Sequence, residues 1–336
     1  MRGKRPRLAG GVVFVALLLL LAATSLWALT VGSSGLGLRD ALEALSGPHG
    51  SRDYLIMTTV RLPRVLAALL AGAALAMAGA IMQAVTANPL ASPGILGINA
   101  GAAFAVVISI AFFGTADTAS YVWFAFAGAA VAALCVYLLG SAGAAGATPL
   151  KLALAGAILS AFLGALTTSI LIFDRTTLDD VRMWTVGSLS GRPMSSVTAV
   201  APYFALGLAA AIVSARQLAT LSLGTEVART IGQNVAAWRI AFAAIVVLLA
   251  GGAVAMTWPI GFVGLVVPHM VRLVIGANYR WLLPYSAVSG ALLVLVADNI
   301  LRLTASGRDV PVGVTMALVG APFFIYLARY RTGAMK

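Results

Sequence analysis

Charge is what this 336-residue sequence has least of. Asp, Glu, Lys and Arg make up 10% of it, against about a quarter in soluble domains, while 61% is hydrophobic and mean hydropathy is +1.01. An ordinary soluble domain is excluded. A single cysteine, Cys135, lies inside an apolar run, so neither a disulfide framework nor a Cys metal cluster is available. No HExxH, CxxC or GxxxxGK[ST] pattern occurs, and no Ser stands with a His and an Asp in helical register. Catalysis, a metal site and a cofactor of its own are therefore not expected. Ionisable residues inside the apolar runs are few, Asp298 and His269 being the main exceptions, which argues against a proton- or ion-coupled carrier. Ten-residue alternating segments are also lacking. The near-continuous apolar runs of about 20 residues favour an α-helical bundle over a β-barrel. The net charge is +12, but Lys and Arg sit singly at the ends of apolar segments rather than in a patch with interleaved aromatics. Nucleic acid is not an expected partner, and membrane topology accounts for the charge better.

Residues 58–104 organise what is present. No charge interrupts 65–116, and as one straight helix that run would extend roughly 78 Å against a hydrocarbon core of about 30 Å. The chain must cross, turn and cross back, and the turn belongs at Asn88, Pro89, Ser92, Pro93 and Gly94. Gly72, Ala76 and Ala80 recur every fourth residue with Gly79 beside them, a small-residue ridge that lets helices approach closely in lipid. Gly97, Gly101 and Ala105 continue the pattern.

Charges punctuate the remaining runs into ten helices, at about 8–31, 59–86, 95–113, 119–139, 150–173, 194–215, 238–257, 266–276, 281–303 and 311–330. The basic start MRGKRPR before an uncharged run reads as a retained first helix, with a cleaved signal peptide ending near Ala28 as the alternative. Residues 240–271 lack charge and are too long for one crossing. Trp258, Pro259, Gly261, Gly264 and Pro268 mark the break, and whether the eighth helix spans fully stays open. Ten crossings with the basic start inside put both termini and the larger share of Lys and Arg on the cytoplasmic side, as the positive-inside rule requires. Outside lie 32–57 and 174–192, the second a candidate surface helix. Inside, 216–239 is the sizeable charged connection. The expected fold is one all-α transmembrane domain.

The stretch RLPRVLAALLAGAALAMAGAIMQAVTANPLASPGILGINAGA closely resembles the permease subunits of ABC importers for ferric siderophores, haem and vitamin B12. The resemblance continues in WTVGSL, LGTEVARTIGQNV, GFVGLVVPHMVRLVIG, LLPYSAVSGALLVLVADNILR and PVGVTMALVGAPFFIYL, and so covers helices two to ten. It implies ten transmembrane helices per subunit and a dimer around a central pathway in the bacterial cytoplasmic membrane. It also implies an external binding protein and two cytoplasmic subunits that bind ATP and Mg.

Site residues follow from the same resemblance. Arg61, Arg64 and Arg302 match arginines that dock the binding protein, although such residues also serve simply to snorkel to headgroups. Gly224, Glu226, Ala228, Arg229 and Gly232 match the ATPase-coupling loop. Asn88, Pro89 and Leu90 match a loop that narrows the pathway, with Thr148 and Pro149 at a second constriction. Trp184, Gly187 and Ser188 match an element beside the entrance. A lone His269 reads as structural. Asp298 needs a partner in hydrocarbon, and Arg302 one turn on is the expected one. The leading reading is a permease for a ferric siderophore, working as a homodimer. Haem, vitamin B12, a heterodimer and a gradient-driven secondary transporter remain open alternatives.

Overall fold

The computed structural model describes residues 7–32, 35–48, 50–114, 118–142, 148–173, 187–304 and 310–331. Among these the chain is helical, with no strand. In order the helices are α1 (Arg7–Thr30), α2 (Leu38–Ser46), α3 (Arg52–Val85), α4 (Ile98–Phe113), α5 (Thr118–Ser141), α6 (Pro149–Phe173), α7 (Met194–Val213), α8 (Ala215–Leu221), α9 (Thr225–Thr230), α10 (Val235–Thr257), α11 (Val263–Ile275), α12 (Tyr279–Thr304) and α13 (Val312–Arg331). Seven are long and apolar enough to cross a bilayer: α1, α3, α5, α6, α7, α10 and α12. Three shorter apolar helices, α4, α11 and the start of α13, join them.

Helix α3 is the axis of the bundle. Its most apolar stretch is 78% buried, against 11% for α6 and 17% for α1. It begins seven residues earlier than the hydropathy of 59–86 suggests, because Ser51 Oγ accepts the Tyr54 N–H and starts a helix among charged residues. A π-turn over Ile56–Arg61 then precedes Pro63. Thr58 and Thr59 hydroxyls donate to the Tyr54 and Leu55 carbonyls there, the i−4 back-bonding usual for Thr in helices.

The small-residue ridge of α3 is used on two sides. A Cβ added to Gly72 would lie 2.3 Å from the Gly290 carbonyl oxygen of α12, and one added to Gly79 would lie 1.9 Å from that of Gly264 in α11. Both pairs put backbone against backbone, the contact that makes dispersion packing effective where lipid supplies no hydrophobic drive. The α3–α12 contact is the most extensive between any two helices.

At the end of α3 the chain reverses through Ala87, whose φ is +48°, and a short 3₁₀ turn, Pro93–Leu96. Asn88 N–H donates to the Gln83 carbonyl, closing the helix, and the hairpin into α4 required by length is present. The second break falls at Trp258 and Phe262, with φ of +66° and +67°. It ends before Gly264 and Pro268, which lie inside α11. At 13 residues α11 is roughly 20 Å long, short of the hydrocarbon core, and its first seven residues are buried by protein.

Replacing Gly79 by Val would force α3 off α11. Overpacking costs of about 1–3 kcal/mol are usual where neighbours can shift, and here the neighbour is backbone. The expected result is a lower melting temperature in detergent and a loss of monodisperse protein on size exclusion. Gly94→Ala, whose Cβ would meet only side chains at 3.7 Å, is the tolerated control.

Candidate functional site

At one end of the bundle α3 and α12 bring three arginines together. Arg64 forms a two-pronged ion pair with Asp298, Nη2 to Oδ1 at 2.8 Å and Nε to Oδ2 at 2.9 Å. The side chains are 11% and 2% exposed. The Asp298 partner is therefore Arg64, 234 residues away in sequence, rather than Arg302 one turn on. Arg302 turns instead to α1, where its Nη1 donates to the Ala28 carbonyl at 3.1 Å, and Arg61 Nη1 donates to the Leu29 carbonyl. A Cβ on Gly32 would lie 3.2 Å from an Nη2 of each. The two guanidiniums flank one point on the backbone and cap the C-terminal turn of α1. That turn carries carbonyls without helical donors and the negative end of the helix dipole, so two cations are favourable there. Arg61 is buried and Arg302 half-buried in the single chain.

Gly187 and Ser188 lie at the same end. Gly187, at φ +77°, accepts the Gly313 N–H at 3.0 Å, and Ser188 N–H donates to the Thr257 carbonyl at 3.1 Å. The element thus ties the break after α10 to the start of α13. Trp184 lies outside the described residues. Arg192, next along, is buried with its guanidinium carbon 3.9 Å from the Trp258 ring centroid. Burial lowers its pKa to about 10, which leaves it charged at neutral pH, and the ring face supports that charge.

The opposite end gathers the remaining candidates. Asn88 and Pro89 are exposed and Leu90 half-buried, with Asn88 Oδ1 accepting the Leu90 N–H at 2.9 Å. Thr148 caps α6, its Oγ1 accepting the Lys151 N–H at 3.3 Å, and Pro149 takes the first helical position, where no N–H is needed. A small apolar cavity of about 30 Å³ joins these parts through Val85, Thr86, Leu96, Tyr137, Leu152 and Arg239. Arg239 Nη2 donates to Thr225 Oγ1 at 2.9 Å, which fixes α9 to this end. Gly224 and Gly232 have φ of +103° and +82° and bracket α9, and Ala228 is buried beneath it. Glu226 and Arg229 are exposed, their 3.7 Å pair contributing little.

Residues 16–330 match the family described as the FecCD transport family. This chain belongs to the FecCD transport family. It is 44% identical over 301 residues to the Fe(3+)-citrate import system permease protein YfmD of Bacillus subtilis (strain 168), covering 90% of this chain and 89% of that protein. It is 42% identical over 316 residues, 94% of each, to the ferric enterobactin transport system permease protein FepD of Escherichia coli (strain K12). A solved metal-chelate type ABC transporter in an inward-facing conformation superimposes with a TM-score of 0.81 at 28% identity, covering 96% of this chain and 99% of that one. The protein is a multi-pass membrane permease.

Two features of this FecCD permease were not legible from its motifs. The Arg64–Asp298 pair joins distant helices, and only the mutual need of two buried charges could have suggested it. Gln83 lies within the family-like stretch but took no role from it, yet it is 4% exposed and fully engaged: Nε2 donates to the Gly264 and Leu265 carbonyls at 3.3 Å each, and Oε1 accepts Arg272 Nη1 at 3.2 Å. A lone amide in an apolar helix was the available signal.

Asp298→Ala strands a buried guanidinium and is expected to cost about 3–5 kcal/mol, read as a lower thermal unfolding midpoint. The double change Arg64→Met with Asp298→Leu removes both charges and should cost far less. Equal losses would show that the pair is not what makes Asp298 necessary.

Proposed function

We propose that this chain is the membrane-spanning subunit of an ATP-driven importer of ferric chelates in the bacterial cytoplasmic membrane. The observation that carries the coupling half of this reading is an apolar ridge on the α9 segment. Val227 and Ile231, four residues apart, are 46% and 62% exposed and Leu223, just before Gly224, is 64% exposed, although backbone hydrogen bonds order the segment. Such a ridge on a charged connection outside the long helices suits a groove in a partner rather than water. A cytoplasmic ATPase subunit is that partner in the present reading, and it holds the ATP and Mg. Rigid seating of α9, anchored to α10 by Arg239, would pass a push into the bundle.

The iron chelates in the names of YfmD and FepD support the substrate class, with a ferric siderophore first. A cobalamin import permease, BtuC of Halobacterium salinarum (strain ATCC 700922 / JCM 11081 / NRC-1), is 37% identical over 281 residues, so vitamin B12 is the second reading. Seven long apolar helices with α4 and α13, and with the short α11 passing through protein rather than lipid, fit ten crossings with both termini inside. Leu150, Leu154, Ile158 and Phe162 make an exposed row on α6, which supports a second copy packing there around a shared pathway. Asn88–Leu90 and Thr148–Pro149 would narrow that pathway at the inner side, and Gly187–Ser188, with Trp184, would border its entrance. An external binding protein would place carboxylates at this end, where Arg302 is the least buried of the three arginines and Arg61 lies beneath it. Arg64, already matched by Asp298, serves docking by holding α3 in place.

Radiolabelled ferric citrate, supplied with the binding protein to proteoliposomes of the assembled transporter, should accumulate only with ATP. Accumulation by the permease alone down a gradient would establish a secondary transporter instead. Arg61→Glu with Arg302→Glu should abolish stimulation of ATP hydrolysis by the binding protein, and Ile231→Asp should release the ATPase subunits on co-purification. Unchanged stimulation in the first variant would remove the docking role.

A further inference from the structure

Pro268 sits in the middle of α11 and has no N–H. The carbonyl four residues earlier, that of Gly264, therefore loses its helical donor, and a buried carbonyl without a donor is costly. Gln83 of α3 supplies the replacement from outside the helix, and its amide nitrogen also reaches the Leu265 carbonyl. The amide orientation is set by its partners, since two carbonyls require the nitrogen and Arg272 requires the oxygen. The same residue holds the next turn by its main chain, its carbonyl accepting the Asn88 N–H at 3.2 Å. Around it the fit is tight: Gly79 lies against Gly264, and a Cβ on Gly264 would meet Pro93 Cδ at 3.0 Å. The gap left by one proline is thus filled by the residue from which the Asn88–Leu90 turn hangs.

We infer that Gln83 is a positioning residue that ties the Asn88–Leu90 turn to α11 through the carbonyl freed by Pro268, so that movement of α11 against α3 is transmitted to the turn. Arg272, near the end of α11, is the second grip: it pulls on the amide oxygen while the amide nitrogen holds the first turn of the same helix. Gln83 is in this way held at both ends of α11. This rests on the reading of the turn as the inner gate, proposed above.

The test uses the assembled transporter with its ATPase subunits and a reporter in the turn, Ser92→Cys in a Cys135→Ser background. The rate of reaction with a maleimide is measured with and without ATP and vanadate. With Gln83 present the rate should differ between the two states, and in Gln83→Leu that difference should shrink several-fold. Loss of folding could mimic this, so Pro268→Ala is the second variant. It returns an N–H to α11 and gives Gly264 a helical donor of its own, so that the carbonyl no longer depends on Gln83 and its hold on that amide weakens. It should hold or raise the melting temperature while weakening the ATP-dependent difference, whereas a purely structural Gln83 would leave that difference intact. An ATP-dependent difference that survives both substitutions overturns the inference and leaves the gate reading standing. No difference even with Gln83 present overturns both.

Discussion

Gly72 of α3 and Gly290 of α12 let two backbones touch, and the three arginines at one end and the Asn88–Leu90 turn at the other are both carried by this pair of helices. Lipid tails are as apolar as leucine, so burying side chains between helices gains little in a bilayer. Close fit and paired polar groups must hold the bundle. The α3–α12 pair has both: a glycine contact along its length and the Arg64–Asp298 ion pair at one end. Desolvated charges of this kind contribute little net stability when paired but are expensive when separated, which makes the pair a device for fixing register.

From this pair the two ends acquire different characters. At the arginine end the polar groups are matched within the subunit, Arg64 by a carboxylate and Arg61 and Arg302 by carbonyls of α1. At the other end the chain is built of turns, with exposed Asn88 and Pro89 and the exposed ridge of α9. Movement is easier in turns than in a helix whose ladder must break.

Much of this was readable in the sequence wherever length, composition or local spacing sets the outcome. The 65–116 run had to fold back because it exceeds the bilayer, and Gly72, Ala76 and Gly79 announced a close-packed face. Interactions between distant helices were not readable in the same way. The i, i+4 spacing of Asp298 and Arg302 suggested a local pair, yet the bare C-terminal carbonyls of α1 take Arg302 and leave the carboxylate to Arg64. The start of α3 at Arg52 was hidden by its charges, and the service Gln83 performs depends on a proline 185 positions further on, in α11. The docking, coupling and gating roles came from resemblance to a family, and geometry adds to them the partner of Arg64 and the apolar side chains of α9 that are left exposed.

If α3 and α12 act as one body that carries a docking end and a gating end, their outer ends must keep a fixed separation while the transporter works. Spin labels at Leu55→Cys and Leu303→Cys, both exposed positions near those ends, report it directly by pulsed electron resonance in the assembled transporter with Cys135 replaced by Ser. The distance distribution should be the same without nucleotide and with ATP and vanadate. A distance that shifts between the two states would show that the helices slide or part, and would contradict the account.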